Sequence, residues 1–294
     1  AEREVPLPRE PRAVLLSPDG STAFVSHAAW SALSVVDLAN ANAPVGSIAL
    51  GAGKLDDASF GSGEAGAAAT AKPREARQAY ALAATTEPEG HGGEGFRLLV
   101  PNASVDPGTA SLGTTSGYGG DFGSRPVAEI VSVVDPVARQ SMTREATEAH
   151  QSSGEHECIL PRGAAVRGTS LFVACLDEDR VVEYDGTVAD PVVQWRRSFR
   201  VLGGPSSIAI DDRGRLFVWT ELVRSLTEVD LTEKSATMRS MLPWDRDGGA
   251  VDAKIARGRY LFHQSSDGRI APGRACASCH PEGRDDGLVW TSPD

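Results

Sequence analysis

The chain has 294 residues, 40% of them hydrophobic, with 29 Lys and Arg against 40 Asp and Glu for a formal net charge of -11. That composition supports one large core or two smaller ones and excludes disorder throughout. The acidic balance and the lack of any basic run argue against nucleic acid and anionic membrane surfaces as partners, and no window of about 18 apolar residues offers a membrane span.

The first residues, AEREVPLPREP, lack the charged and apolar regions of a signal peptide, and the chain opens without Met, as a processed or trimmed N-terminus would. From Pro11 onward one pattern recurs: a Pro, an apolar strand, a polar turn, an apolar-Phe-Val strand, then a strand ending in Asp. Three copies are clear, starting at Pro11, Pro161 and Pro205, and in each the interval from Phe to the closing Asp is the same: Phe24 to Asp37, Phe172 to Asp185, Phe217 to Asp230. A fourth, degraded copy runs from Gln78 through FRLLVPNAS to Asp135, interrupted by a Gly- and Ser-rich insert that reads as loop. Two further stretches, Gly51 to Thr70 and Thr85 to Gly95, are Gly-, Ala- and Glu-rich and read as surface loops or disorder. His91 and His150 lie in or near such polar segments and read as surface histidines.

Within each copy, strand-length apolar runs are separated by turn chemistry such as Pro18-Asp19-Gly20 and Asp212-Arg213-Gly214. One copy cannot bury both of its faces, and radial packing of several four-stranded sheets solves that problem, so a β-propeller is the expected architecture. The phrases LSPDGSTAFVS and VVDL resemble the blade motifs of bacterial YVTN-type and lactonase-like propellers. The resemblance spans residues 11 to about 242 and implies a fold, not an activity. Those families need more blades than the four recognisable here, which leaves a small ring, an open array or a ring lacking N-terminal blades.

Cys158 and Cys175 flank ILPRGAAVRGTSLFVA, which reads as two strands joined by a Gly-containing turn. They would then face each other across a hairpin, as a disulfide or as two buried thiols; a bridge is worth roughly 3 kcal/mol by loop closure. The acidic groups Asp177-Glu178-Asp179 and Asp211-Asp212 fall at blade turns and need no special function.

After Pro243 the strand alternation stops, and Val251, Ile255 and Phe262 recur at helix-like intervals. The expected organisation is therefore a mainly β chain, with a β-propeller-like repeat domain over 1–243 and a small α-helical segment over 244–294. Asp245 and Asp247 beside Gly248 and Gly249 lack the remaining spaced ligands of a calcium loop and read as an interdomain turn. No G-x-S-x-G, H-E-x-x-H or phosphate loop supports a hydrolase or nucleotide-binding reading.

The most specific signal is Cys276-Ala277-Ser278-Cys279-His280. Two thiols separated by two residues reach the two vinyl groups along one haem edge, and the adjacent His280 then presents an imidazole nitrogen to the iron as proximal ligand. A thioredoxin-like pair would need a βαβ context and a zinc site a second pair of ligands, and neither is present. The expected cofactor is one covalent haem c, bound by Cys276, Cys279 and His280. Haem attachment in turn places the chain in the periplasm or outside a bacterial cell, and supports the Cys158–Cys175 bridge.

The run GRYLF at Gly258 to Phe262, followed by GRACASCHPEGRDDGLVW, resembles the haem-binding segment of bacterial di-haem cytochrome c peroxidases and their protein-oxidising relatives. That resemblance covers about 45 residues. It implies thioether roles for Cys276 and Cys279, a proximal role for His280 and a turn at Asp286-Gly287. It departs in carrying one haem motif rather than two, and with residues 281–294 alone following His280 the module reads as truncated. Met142, Met238 and Met241 all precede the motif, His263 is the nearest other imidazole, and Trp290 reads as core beside the haem. The expected function is electron transfer with a redox partner protein, the propeller docking partner or substrate. Whether it is also a peroxidase-like enzyme depends on the sixth iron ligand; the other readings are part of a di-haem enzyme whose second haem lies outside this chain, and a binding propeller with an unoccupied motif.

Overall fold

A computed structural model of the chain describes residues 3–50, 74–86, 96–105, 127–143, 158–231, 238–243, 252–265, 275–286 and 288. The first repeat forms β1 (Pro11–Leu16), β2 (Thr22–His27), β3 (Ala32–Asp37) and β4 (Gly46–Ala49). The degraded repeat forms β5 (Glu75–Arg77), β6 (Ala83–Thr86), β7 (Phe96–Val105), β8 (Val127–Asp135) and β9 (Gln140–Ser141). The third comprises β10 (Pro161–Arg167), β11 (Ser170–Cys175), β12 (Arg180–Asp185) and β13 (Trp195–Arg200); the fourth β14 (Pro205–Ile210), β15 (Arg215–Thr220), β16 (Ser225–Asp230) and β17 (Met238–Pro243). Each repeat is one antiparallel sheet with its strands in chain order, apart from β5 and β6, which both pair with β7. The fold is mainly β, a four-blade propeller-like arrangement.

The constant Phe-to-Asp interval has a geometric origin. Thr22 pairs with Asp37, Ser170 with Asp185 and Arg215 with Asp230, so the repeat length measures one hairpin of fixed strand and turn length. Asp is suited to closing that hairpin because its carboxylate turns the chain: Asp37 Oδ1 accepts from the Ala39 and Asn40 amides, and Asp185 Oδ1 accepts from Thr187. The two turn phrases lie where their chemistry puts them, between β1 and β2 and between β14 and β15, with Gly20 and Gly214 at φ of 70° and 81°.

The blades pack in series. Phe24, Leu33, Val35 and Ile48 of the first meet Leu98, Val100 and Val134 of the second. Leu99, Val131 and Val133 of the second meet Leu171, Val173 and Tyr184 of the third. Phe172, Val181 and Phe199 of the third meet Leu216, Val218 and Val229 of the fourth. Among the described residues no buried cluster joins the fourth blade to the first, and Val14 and Leu16 on β1 are 64% and 52% exposed. At the third seam the inner strands come close because Gly163 has no side chain: a Cβ there would lie 3.0 Å from Ser207 Cα and 3.1 Å from the Ser206 carbonyl.

Thr85 and Thr86 are not loop but the end of β6, with Thr85 buried, because pairing with Arg97 and Phe96 overrides the local composition. The remainder of that stretch, the segment Gly51 to Thr70, the insert before β8, and His91, His150, Asp245, Asp247, Val251, Gly287 and Trp290 lie outside the described residues.

Candidate functional site

Two helices follow the blades among the described residues. α1 (Ala253–His263) begins at Asp252, whose carboxylate accepts from the Lys254 amide, and α2 (Cys276–Cys279) is one short turn followed by a 3-10 turn over Pro281–Gly283. Of the apolar residues in α1, Phe262 packs inward, whereas Ile255 is exposed. Neither helix is long and apolar enough to cross a membrane.

α2 sits on the blade ends through its small residues. Ala275 and Ala277 are buried with Ile159, Leu160 and Leu176 of the third blade, joined by Phe262 from α1. Gln78, in the second blade, donates from Nε2 to the Ser278 carbonyl at 2.5 Å. With that side of the turn occupied, Cys276 and His280 are exposed and Cys279 is half-buried. Cys276 and Cys279 are both thiols and lie three residues apart on one helical turn, where side chains share a face. His280 closes the turn, its amide bonded to the Cys276 carbonyl, and its Nδ1 lies 3.3 Å from the Arg284 carbonyl. Downstream, Asp286 is buried and accepts from the Leu288 amide, and Leu288 packs on Ala103, Val105 and Val127 of the second blade.

The structure brings α1 to the same end. Asp179 Oδ1 accepts from the Gly203 and Gly204 amides at 2.8 Å each, and its Oδ2 accepts from Tyr260 of α1 at 3.2 Å. Asp177 accepts from the Ser265 amide just past α1, and its buried Oδ2 has no hydrogen-bond partner among the described residues. Burial pushes the Asp177 carboxyl up to about 7, with the Asp179 charge adding to the effect. Both aspartates lie in the β11–β12 turn, where the sequence places them, yet they fasten the C-terminal segment rather than standing in solvent. Local composition carries no signal of that, because the donors are 24 to 88 residues away.

Cys158 and Cys175 are joined in a disulfide with Cα atoms 4.8 Å apart, Cys175 ending β11 and Cys158 preceding β10. His263 points Nδ1 to the Arg259 carbonyl at 2.8 Å and stacks edge-on against Phe262, and burial lowers its pKa. Met142 packs against the core between the second and third blades, and Met238 and Met241 fall in β17. Among the described residues no three His, Cys, Asp or Glu side chains cluster as a metal cage.

The blades and site define a mainly β, propeller-like protein carrying a cysteine- and histidine-bearing helical turn at one blade end. No protein-family model matches the chain, and no curated protein matches it. Solved structures that resemble it include Kuenenia stuttgartiensis hydrazine synthase, 19% identical over 79% of this chain and 49% of that one with a TM-score of 0.43. Virginiamycin B lyase from Staphylococcus aureus is 9% identical over 82% and 58% with a TM-score of 0.40, and apo AztD from Citrobacter koseri 14% over 84% and 51% with 0.38. This chain thus spans roughly half the length of these structures.

Proposed function

We propose that this chain is an exported c-type cytochrome, with one haem covalently bound through Cys276 and Cys279 and a propeller domain that docks a redox partner protein. The observation that carries the reading is the Cys276–His280 turn: two thiols at the attachment spacing on one helical turn, one exposed and one half-buried, followed directly by an exposed imidazole. The donor set fits haem c. Cys276 and Cys279 would form the thioethers, and His280 would offer Nε2 to the iron while the Arg284 carbonyl beside Nδ1 orients the ring. Haem bound there supplies a one-electron couple.

The chain's own contribution is placement. Ala275, Ala277 and Gln78 fix the back of the turn, which leaves Cys276 and His280 exposed and Cys279 half-buried, so that a haem edge bound there would be accessible to a partner. The disulfide and the attachment chemistry both belong to an oxidising compartment, which supports a periplasmic or extracellular location. Whether the iron carries electrons or activates peroxide follows from the sixth ligand, and the resemblance to di-haem peroxidases keeps a peroxidase-class enzyme as the second reading.

The test is a reduced pyridine haemochrome spectrum of periplasmically matured protein beside a Cys276→Ala, Cys279→Ala variant. A c-type α band present in the first and absent in the second is expected; no band in either leaves a binding propeller. A low-spin iron indifferent to peroxide supports the carrier, and a high-spin, peroxide-reactive iron the enzyme.

A further inference from the structure

A residue of positive φ opens the inner strand of three blades and interrupts it in the second. Glu10, Gln78, Leu160 and Gly204 all have positive φ, at 55°, 60°, 56° and 71°. Pro11, Pro161 and Pro205 follow three of them, and a β-bulge then falls between Pro11 and Val14, between Pro161 and Gly163, and between Pro205 and Ser207. The residue after each Pro sits in that bulge: Arg12, Arg162 and Ser206. In the second blade, where β5 and β6 are interrupted, the corresponding residue is Tyr80. Bulges re-aim side chains away from the pleat alternation. Here equivalent positions of three blades come together, the bulged Arg12 and Arg162 placing their guanidinium groups 4.8 and 3.5 Å from the centroid of the Tyr80 ring.

Two cations on one ring need a counter-charge, and it comes from the C-terminal segment. Glu282 is bidentate to Arg12, with Nη1–Oε1 at 2.9 Å and Nη2–Oε2 at 3.0 Å. Arg12 also meets Glu10, which in turn holds Arg284. Arg162 is less well served: its side chain is 8% exposed, and among the described residues its Nε has no hydrogen-bond partner and its one ion pair is with Glu282 at 3.9 Å, beyond hydrogen-bond length. A buried guanidinium with so little compensation is costly unless an anion is present. Glu282 delivers its carboxylate from a left-handed backbone, φ 54°, a conformation that a non-glycine residue holds only when its surroundings enforce it.

We propose that Arg12 and Arg162, stacked on Tyr80, form a carboxylate-binding site of the propeller that Glu282 fills in cis and that a small external dicarboxylate takes when Glu282 is absent. The planar fork of each guanidinium matches a carboxylate, and two forks suit two carboxylates on one short ligand. In the intact chain the tethered Glu282 competes at high effective concentration, so external ligand binds weakly. Glu282 stands two residues after His280, so displacing it would move the turn that follows the imidazole. That coupling rests on the haem reading; the site itself does not, and it is testable on the full chain without haem.

The probe is malonate, titrated calorimetrically at constant ionic strength into wild type, Glu282→Gln, and Glu282→Gln combined with Arg162→Gln. Glu282→Gln is expected to bind malonate at least tenfold more tightly than wild type, and the added Arg162→Gln to remove the gain. No gain on Glu282→Gln, a gain that survives Arg162→Gln, or an equal gain for sulfate would each overturn the assignment. Wild type gives a second reading that needs no variant. Amide exchange over residues 281–284 is expected to accelerate saturably with malonate, and exchange indifferent to malonate contradicts the site.

Discussion

Gln78 and Ser278, 200 residues apart, meet where the second blade touches the cysteine-bearing turn, the amide of one donating to the backbone carbonyl of the other. Gln78 holds a positive φ of 60° at the break between β5 and β6, so its side chain leaves the blade end toward α2. The bond ties a segment with few contacts of its own to a sheet with many. Gln78→Ala removes it at a cost of about 1 kcal/mol. Amide exchange at Ser278–His280 is then expected to rise about fivefold while exchange in β7 and β8 stays unchanged.

Asp177 makes the docking of α1 pH-dependent. Its carboxyl titrates near 7 when buried and near 3.8 when exposed, so between those values the docked form holds a proton that the undocked form has lost. Docking is therefore strongest below the lower value and weakens as pH rises toward 7, by on the order of 4 kcal/mol in full. His263, depressed by burial, acts in the opposite sense and weakens docking as pH falls below its ordinary 6.5. Comparison with Asp177→Asn isolates the first effect. The variant is expected to gain stability relative to wild type between pH 5 and pH 8, read by urea denaturation at each pH, and parallel curves would contradict the assignment.

Gly163 lies against the backbone of β14, where a side chain has no flexible neighbour to displace. Gly163→Val is expected to cost 1 to 3 kcal/mol by overpacking, roughly. The loss should appear in thermal unfolding, with the third and fourth blades showing the earliest exchange.

The Cys158–Cys175 bridge closes a short loop, with a sequence separation of 17. Replacing both residues by Ser is expected to lower unfolding free energy by about 3 kcal/mol, and wild type in reductant should fall by a similar amount.

The blades are legible in sequence because their signals are local. Phe24, Phe172 and Phe217 keep a fixed distance to a closing Asp since one hairpin sets it, and Gly20 and Gly214 mark turns that need positive φ. The Cys276–His280 signal is equally local, since the proposed attachment depends on that spacing alone. What sequence does not carry is the seam. Asp177 and Asp179 look like ordinary turn charges until α1 arrives on them, and which side of α1 is buried, Phe262 rather than Ile255, is decided by the blade it meets. The Arg12–Tyr80–Arg162 stack leaves a partial trace, a Pro-Arg opening two of the repeats. Tyr80 breaks that pattern, and only the fold brings it between them.

In the proposed function Cys276 and Cys279 are covalently joined to haem. Intact mass under denaturing conditions, on protein matured in a periplasm with its cytochrome c assembly machinery, tests it most directly. One haem added to the polypeptide mass, retained through acid and organic solvent and absent from the Cys276→Ala, Cys279→Ala variant, is the expected result. Unmodified polypeptide mass in both would contradict it.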